Sequence, residues 1–332
     1  MKNKIKEFII KELTAFSSKI KNNNYNSPKY NNPFQPFDRS EITKCMSLGR
    51  SFDSQLGNRL QRICMFLARC KYGDVFVPSY IFIKSNEDKN IVANLFSYPQ
   101  EFVDKYEIDA FQTQVVSKIS NDDEILESIL NLKVKNKIKK IYKEENGIKR
   151  IRQKDKDIIE QIINKYRSDF QKSIIKYKYT KCLSDNYSMM KNSVNIDLIY
   201  FKDCDHLVLY ELKASGALDT KNRLGNANEV LNNKKIFSFI KNVESYFATY
   251  YNNCGESGTD IKEKNGVKFR GNMPNGPMFN IVSNEPKMNG KILVGSVFWE
   301  NILPNGITYD SFIKTYVEAF KSTGIEKIIN EI

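Results

Sequence analysis

Two kinds of apolar spacing divide the chain. In residues 3–20, Ile5, Phe8, Ile9, Leu13, Phe16 and Ile20 fall on one side of a helix, which predicts an amphipathic helix. Residues 51–71 repeat the pattern with Phe52, Leu56, Leu60, Ile63 and Leu67. Between them, residues 22–36 are rich in Asn and Pro and read as a loop. Residues 75–83 read as a strand, which Pro78 places at an edge or bend. Residues 121–176 read as a long helical region divided by Gly147. Asn121 stands three residues before Glu124 in the N-cap pattern, and Ile125, Ile129 and Leu132 keep helical spacing. Residues 225–251 predict another helix, with Val230, Leu231, Ile236, Ile240 and Phe247. Residues 254–277 are rich in Gly and Asn and read as a flexible loop. Two strands are expected at 278–282 and 291–298, and a closing helix at 309–329. The chain shows no internal repeat.

Residues 194–201 and 206–213 are apolar and β-branched, and Lys202, Asp203, Cys204 and Asp205 between them are polar and turn-prone. Two such runs predict a β-hairpin. Side chains alternate along a strand, so Glu211 and Lys213 share one face and Leu212 points to the other. Asp197 on the partner strand can then approach Glu211. Two carboxylates beside an ammonium are costly to hold together unless a divalent cation sits between the acids, which points to a Mg²⁺ site. An acid and a Lys two apart on a strand are common surface decoration. Here the apolar flanks would bury the strand, so its charges need a reason.

Asp197, Glu211 and Lys213, spaced D-x13-E-L-K, resemble the PD-(D/E)XK nuclease signature, with Ile196 where the motif usually has Pro. The following run through Ser215, Asp219, Lys221 and Asn222 is similar to type II restriction endonucleases, and to their TdeIII-like group. The similarity covers residues 194–222, with a weaker extension over 51–62. It implies an α/β fold with a restriction-endonuclease-like core, a mixed central sheet flanked by helices. It also implies Mg²⁺ held by Asp197, Glu211 and the Leu212 carbonyl, with Lys213 orienting the attacking water. The expected reaction is hydrolysis of double-stranded DNA at a short site, leaving 5′-phosphate and 3′-hydroxyl ends. A homodimer, a cognate DNA methyltransferase and, for the TdeIII-like group, a GG-N-CC site are implied as well. Such nucleases often add a residue from a preceding helix, for which Gln55 and Gln61 are candidates, with Asp53 behind them. Ser215, Asp219, Lys221 and Asn222 would contact phosphate or base, or cap the next helix. Lys268, Arg270 and Asn272 in the 254–277 loop would read bases.

These expectations divide the chain into a mainly helical region, 1–180, packing on a nuclease core, 181–332, or one continuous domain. Composition agrees with a polyanionic partner. Lys and Arg total 52 against 39 Asp and Glu, a net charge of +13, which favours nucleic acid over membrane. A bias toward Lys, Asn and Ile accounts for part of that charge. The basic stretch 133–156 is either a solvated helix face or a phosphate contact. Six cysteines without C-x-x-C spacing and a single histidine, His206, argue against structural zinc. The lack of a signal-like segment points to a cytoplasmic location, and no run is long enough to span a membrane. Two other readings remain: a repair or recombination nuclease on the same fold, and a DNA-binding protein without catalysis.

Overall fold

The structure, a computed structural model, describes residues 1–22, 40–85, 90–108, 110–117, 119, 121–180, 193–215, 220–325 and 327. Two helices open the chain, α1 (Lys2–Asn22) and α2 (Ser40–Tyr72). Strands β1 (Tyr80–Ser85) and β2 (Asn90–Phe96), helix α3 (Gln100–Tyr106) and strand β3 (Thr113–Ser117) follow. Helices α4 (Asp122–Ile129), α5 (Leu132–Glu145) and α6 (Gln153–Lys172) lead to β4 (Ile175–Thr180). Then come β5 (Val194–Ile196), β6 (Leu198–Asp203), β7 (His206–Lys213), α7 (Thr220–Ile236) and β8 (Asn242–Thr249). The chain closes with β9 (Lys262–Lys264), β10 (Val267–Phe269), β11 (Ile292–Val294), α8 (Ser296–Ile302) and α9 (Tyr309–Ser322).

The fold is mixed α/β, but the strands form two mixed sheets rather than one. The first has the order β4-β2-β1-β3-β5, and the second β6-β7-β8-β11-β10-β9. The expected hairpin is present as β6 and β7, with Leu198 opposite Tyr210 and Asp203 opposite His206. Helix α7 carries the chain from β7 to β8, which lie parallel with Glu211 beside Phe247. Each face of β7 is covered. Val208, Tyr210 and Leu212 join the large core with α2 and α8, while Leu207 and Leu209 join Ile81, Ile83 and Leu95 between the two sheets. Burial on both faces explains why β7 reads as an unbroken apolar run.

Several elements differ from the sequence reading. Pro78 precedes β1, and β1 lies inside the first sheet, between β2 and β3. Four strands, β1 to β4, lie within the stretch 1–180. Strand β4 alternates Ile175, Tyr177 and Tyr179 with lysines, a period-two signal at the end of a helical stretch. The 121–176 region is three helices, and Asn121 caps the first by accepting from the Glu124 amide at 2.9 Å. Phe247 belongs to strand β8 and not to the preceding helix, which ends at Ile236. Residues Pro277–Ser283 form a 3₁₀ turn, and the 291–298 stretch is β11 followed by the start of α8. The 262–275 loop contains the β9–β10 hairpin. Its two-residue turn is Asn265 and Gly266, at φ 52° and 72°, which suits a right-twisted ribbon.

Helix α1 buries the expected stripe, and with it Glu12, which is 2% exposed. One Glu12 oxygen accepts from Arg59 Nη1 at 2.9 Å and Arg62 Nε at 2.8 Å. Arg62 also lies 3.6 Å from the centroid of the Phe111 ring. A single carboxylate thus holds two guanidinium groups of α2 against α1. Glu12→Ala removes that charge and leaves both cations uncompensated, which should cost about 3 kcal/mol. Urea denaturation measures it, and a loss below about 1 kcal/mol would show the pairing to be dispensable.

Candidate active site

The site begins where one extended segment changes sheets. Residues 194–196 pair with β3, with Ile196 opposite Thr113, while residues from 198 onward pair with β7. The register that sets Leu198 against Tyr210 would place Ile196 against Leu212, but Ile196 has left for the other sheet. Asp197 stands at the bend. Its Oδ2 accepts from the Leu212 amide at 2.9 Å, in place of the missing strand partner. Gln61 Nε2 of α2 donates to the Asp197 carbonyl and to its Oδ1, both at 3.1 Å. Gln112 Nε2 reaches Oδ1 at 3.4 Å.

On β7, Glu211 is buried, and Lys213 Nζ donates to its Oε1 at 2.5 Å. Asp197, Glu211 and Lys213 therefore converge as the sequence spacing implies. Burial first, and the Asp197 charge next, push the Glu211 carboxyl up to about 7, against the opposing pull of Lys213. Burial also raises the Asp197 carboxyl, opposed chiefly by the Leu212 amide. Burial alone would lower the Lys213 ammonium, but Glu211 and Asp197 outweigh it and hold it above its ordinary value. The acids thus lack sufficient positive charge. Among the described residues no cluster of three or more His, Cys, Asp or Glu is placed to hold a metal ion. Two carboxylates and the Leu212 carbonyl are nonetheless hard oxygen donors that suit Mg²⁺, and a divalent cation would relieve their repulsion.

The other expected residues divide. Gln61 reaches the site, whereas Gln55 accepts from Lys19 at 3.1 Å and lines a neighbouring cavity. Ser215 is half-buried just beyond β7, and Asn222 is exposed in the first turn of α7, its carbonyl accepting from Asn226. Asp219 and the Lys221 side chain lie outside the described residues. Lys268 sits on β10 with Glu263 at 3.9 Å. Arg270 is ion-paired to Glu300 and donates to the Thr259 carbonyl at 2.8 Å. Asn272 donates to the Cys254 carbonyl at 2.9 Å. Lys268 and Asn272 are thus engaged within their own segment, and Arg270 is engaged both there and with Glu300 of α8. Strand β10 is three places from β7 in the sheet order, about 14 Å at ordinary strand spacing. Nothing in the sequence marks Gln112, because no local spacing links it to Asp197 across 85 residues. His206 sits at the end of β7 away from Glu211, paired with Glu244 at 2.6 Å.

No known protein family, curated protein or solved structure matches the chain. Among the described residues, no helix is long and apolar enough to cross a membrane.

The carboxyl pair has a consequence for stability. Glu211 is raised from 4.5 to about 7, so its contribution is fully present below pH 4.5 and is lost as pH rises through 7. Glu211→Gln removes the ionisation. In the absence of divalent cations it should be more stable than the parent at pH 8 by about 3 kcal/mol and nearly equal to it at pH 4.5. Chemical denaturation at the two pH values measures the difference. Equal stability at pH 8 would mean that the fold does not raise the Glu211 carboxyl.

Proposed function

We propose that the chain is a Mg²⁺-dependent nuclease of the PD-(D/E)XK type, acting on double-stranded DNA as a type II restriction endonuclease. The observation that carries this reading is the convergence of Asp197, Glu211 and Lys213, with Glu211 buried, the other two half-buried and the acids short of positive charge. The arrangement around them supports it: an antiparallel hairpin, a crossover helix, a parallel strand, and a helix that delivers Gln61 to Asp197. The net charge of +13 supports a polyanionic substrate. A homodimer follows from the two-fold symmetry of palindromic sites, and a host that makes such an enzyme needs a cognate methyltransferase to protect its own DNA.

Asp197, Glu211 and the Leu212 carbonyl would hold Mg²⁺, which supplies Lewis-acid polarisation of the phosphodiester and activation of water. Gln61 and the Leu212 amide keep the Asp197 carboxylate oriented before any ligand arrives. Lys213 stays protonated while Glu211 is ionised, so its ammonium can orient the attacking water and offset negative charge growing on the phosphate. Attack in line on phosphorus leaves a 5′-phosphate and a 3′-hydroxyl.

Plasmid digestion with Mg²⁺, followed by sequencing of the ends, tests the reading. Asp197→Ala and Glu211→Ala should abolish cutting while the fold persists by circular dichroism. In single-turnover cleavage at saturating DNA, Lys213→Ala should slow the chemical step about a hundredfold or more while binding persists. Lys213→Arg should not restore it, because a planar guanidinium does not replace a compact ammonium. Cutting at the parent rate by Lys213→Ala would end the nuclease reading. The DNA dissociation constant should also rise steeply with salt, by about a thousandfold between 50 and 200 mM if roughly six phosphates are contacted. A flat response would exclude a basic cleft.

A further inference from the structure

A cavity of about 410 Å³ opens beside the carboxylates. Its lining carries the side-chain amides of Gln55, Asn58, Gln61, Gln112, Gln114 and Asn195. Two of these, Gln61 and Gln112, also hold Asp197, so cavity and acid pair share a wall. The other link is β5. Asn195 lies on β5, two residues before Asp197. Across the first sheet, Tyr80 stands beside Gln114 and Gln114 beside Asn195. The three therefore form a row on one face, and all three line the cavity. Among the described residues, nothing donates to or accepts from the side-chain amides of Asn58, Gln114 and Asn195. Cations flank them. Lys19, Lys133, Arg59 and Arg62 line the same space, and Glu12 is the carboxylate that both arginines share.

This chemistry selects a ligand. An amide offers a donor and an acceptor side by side, which matches the edge of a nucleobase. A phosphate alone needs donors only. At about 410 Å³ the cavity is too small to admit a duplex, whereas one unstacked base fits. Of the residues expected to read bases, Arg270 is held by Glu300 of α8 and the Thr259 carbonyl, and Asn272 by the Cys254 carbonyl. Resting on the nuclease reading, we infer that this cavity is the specificity pocket of the same site. It receives an unstacked nucleobase of the substrate and reads its edge through Asn58, Gln114 and Asn195.

Selection of bound duplexes from a randomised DNA pool tests the inference, with the full chain carrying Glu211→Gln so that nothing is cut. Asn58→Ala and Asn195→Ala alter exposed side chains, so thermal melts should match the parent. The parent should return a consensus, and each variant should lose preference at one or two positions by about tenfold while the others persist. The parent consensus returned unchanged by both variants, an even loss of affinity across all sequences, or no consensus from the parent would overturn the pocket. Plasmid cleavage by the unsubstituted chain is scored separately. Cleavage with an unchanged variant consensus removes the pocket and leaves the nuclease. A pocket-dependent consensus without cleavage removes the nuclease and leaves the pocket.

Discussion

Asp197 sits at the point where one extended segment leaves the first sheet and enters the second, and the surrounding structure depends on how that bend is held. A strand that changes partners strands an amide on the neighbour it abandons. Here the abandoned donor is the Leu212 N–H, and the Asp197 carboxylate takes it. The same bond brings the carboxylate to the strand that carries Glu211 and Lys213. Closing the sheet junction and assembling the acids are one event, because the residue that repairs the ladder is one of the acids.

That junction carries an electrostatic cost. A buried and a half-buried carboxylate repel, and one ammonium does not neutralise them. The chain tolerates this because Asp197 is held from three sides, by Leu212, Gln61 and Gln112, while Glu211 has Lys213. The three donors to Asp197 come from β7, from α2 and from the segment before β3, so no single local change releases it. An arrangement that stores repulsion and fixes its members is suited to a cation and to charge that develops only during reaction. A purely structural cap for Leu212 would need Asp197 but not a second buried acid beside it.

Helix α2 ties this centre to the rest of the molecule. Gln61 reaches Asp197, while Arg59 and Arg62 on the same helix bind Glu12 of α1. Further along, Tyr72 stacks on Tyr200 of β6 at 4.2 Å and donates to the Asn301 carbonyl of α8. One helix therefore spans the N-terminal helix, both sheets' meeting point and the C-terminal helices. The large apolar core runs accordingly from Ile5 to Ala319, across the 180/181 boundary expected from the sequence. The cavity beside Asp197 is formed by α2 and α5 against the first sheet, so the elements that brace the acids also wall the amide-lined space.

The sequence alone determined what depends on local period. The helical stripe of α1, the N-cap at Asn121, the β6–β7 hairpin and the shared face of Glu211 and Lys213 follow from spacing within a few residues. Asp197 and Gln61 could be named as site candidates for the same reason: each belongs to a readable element. What was not legible required contacts between distant segments. Gln112 and Asp197 are 85 residues apart, and the partner exchange at Ile196 follows from where β3 lies, not from any feature of residues 194–198. Strand β8 was absorbed into a helix because Phe247, at helical distance from Ile240, is buried in either state, and only pairing with β7 and β11 decides between them. The β9–β10 hairpin, the second sheet and the cavity are likewise products of tertiary packing. Local spacing fixes which face a side chain takes, but which face another segment will cover is settled only when the chain folds back on itself.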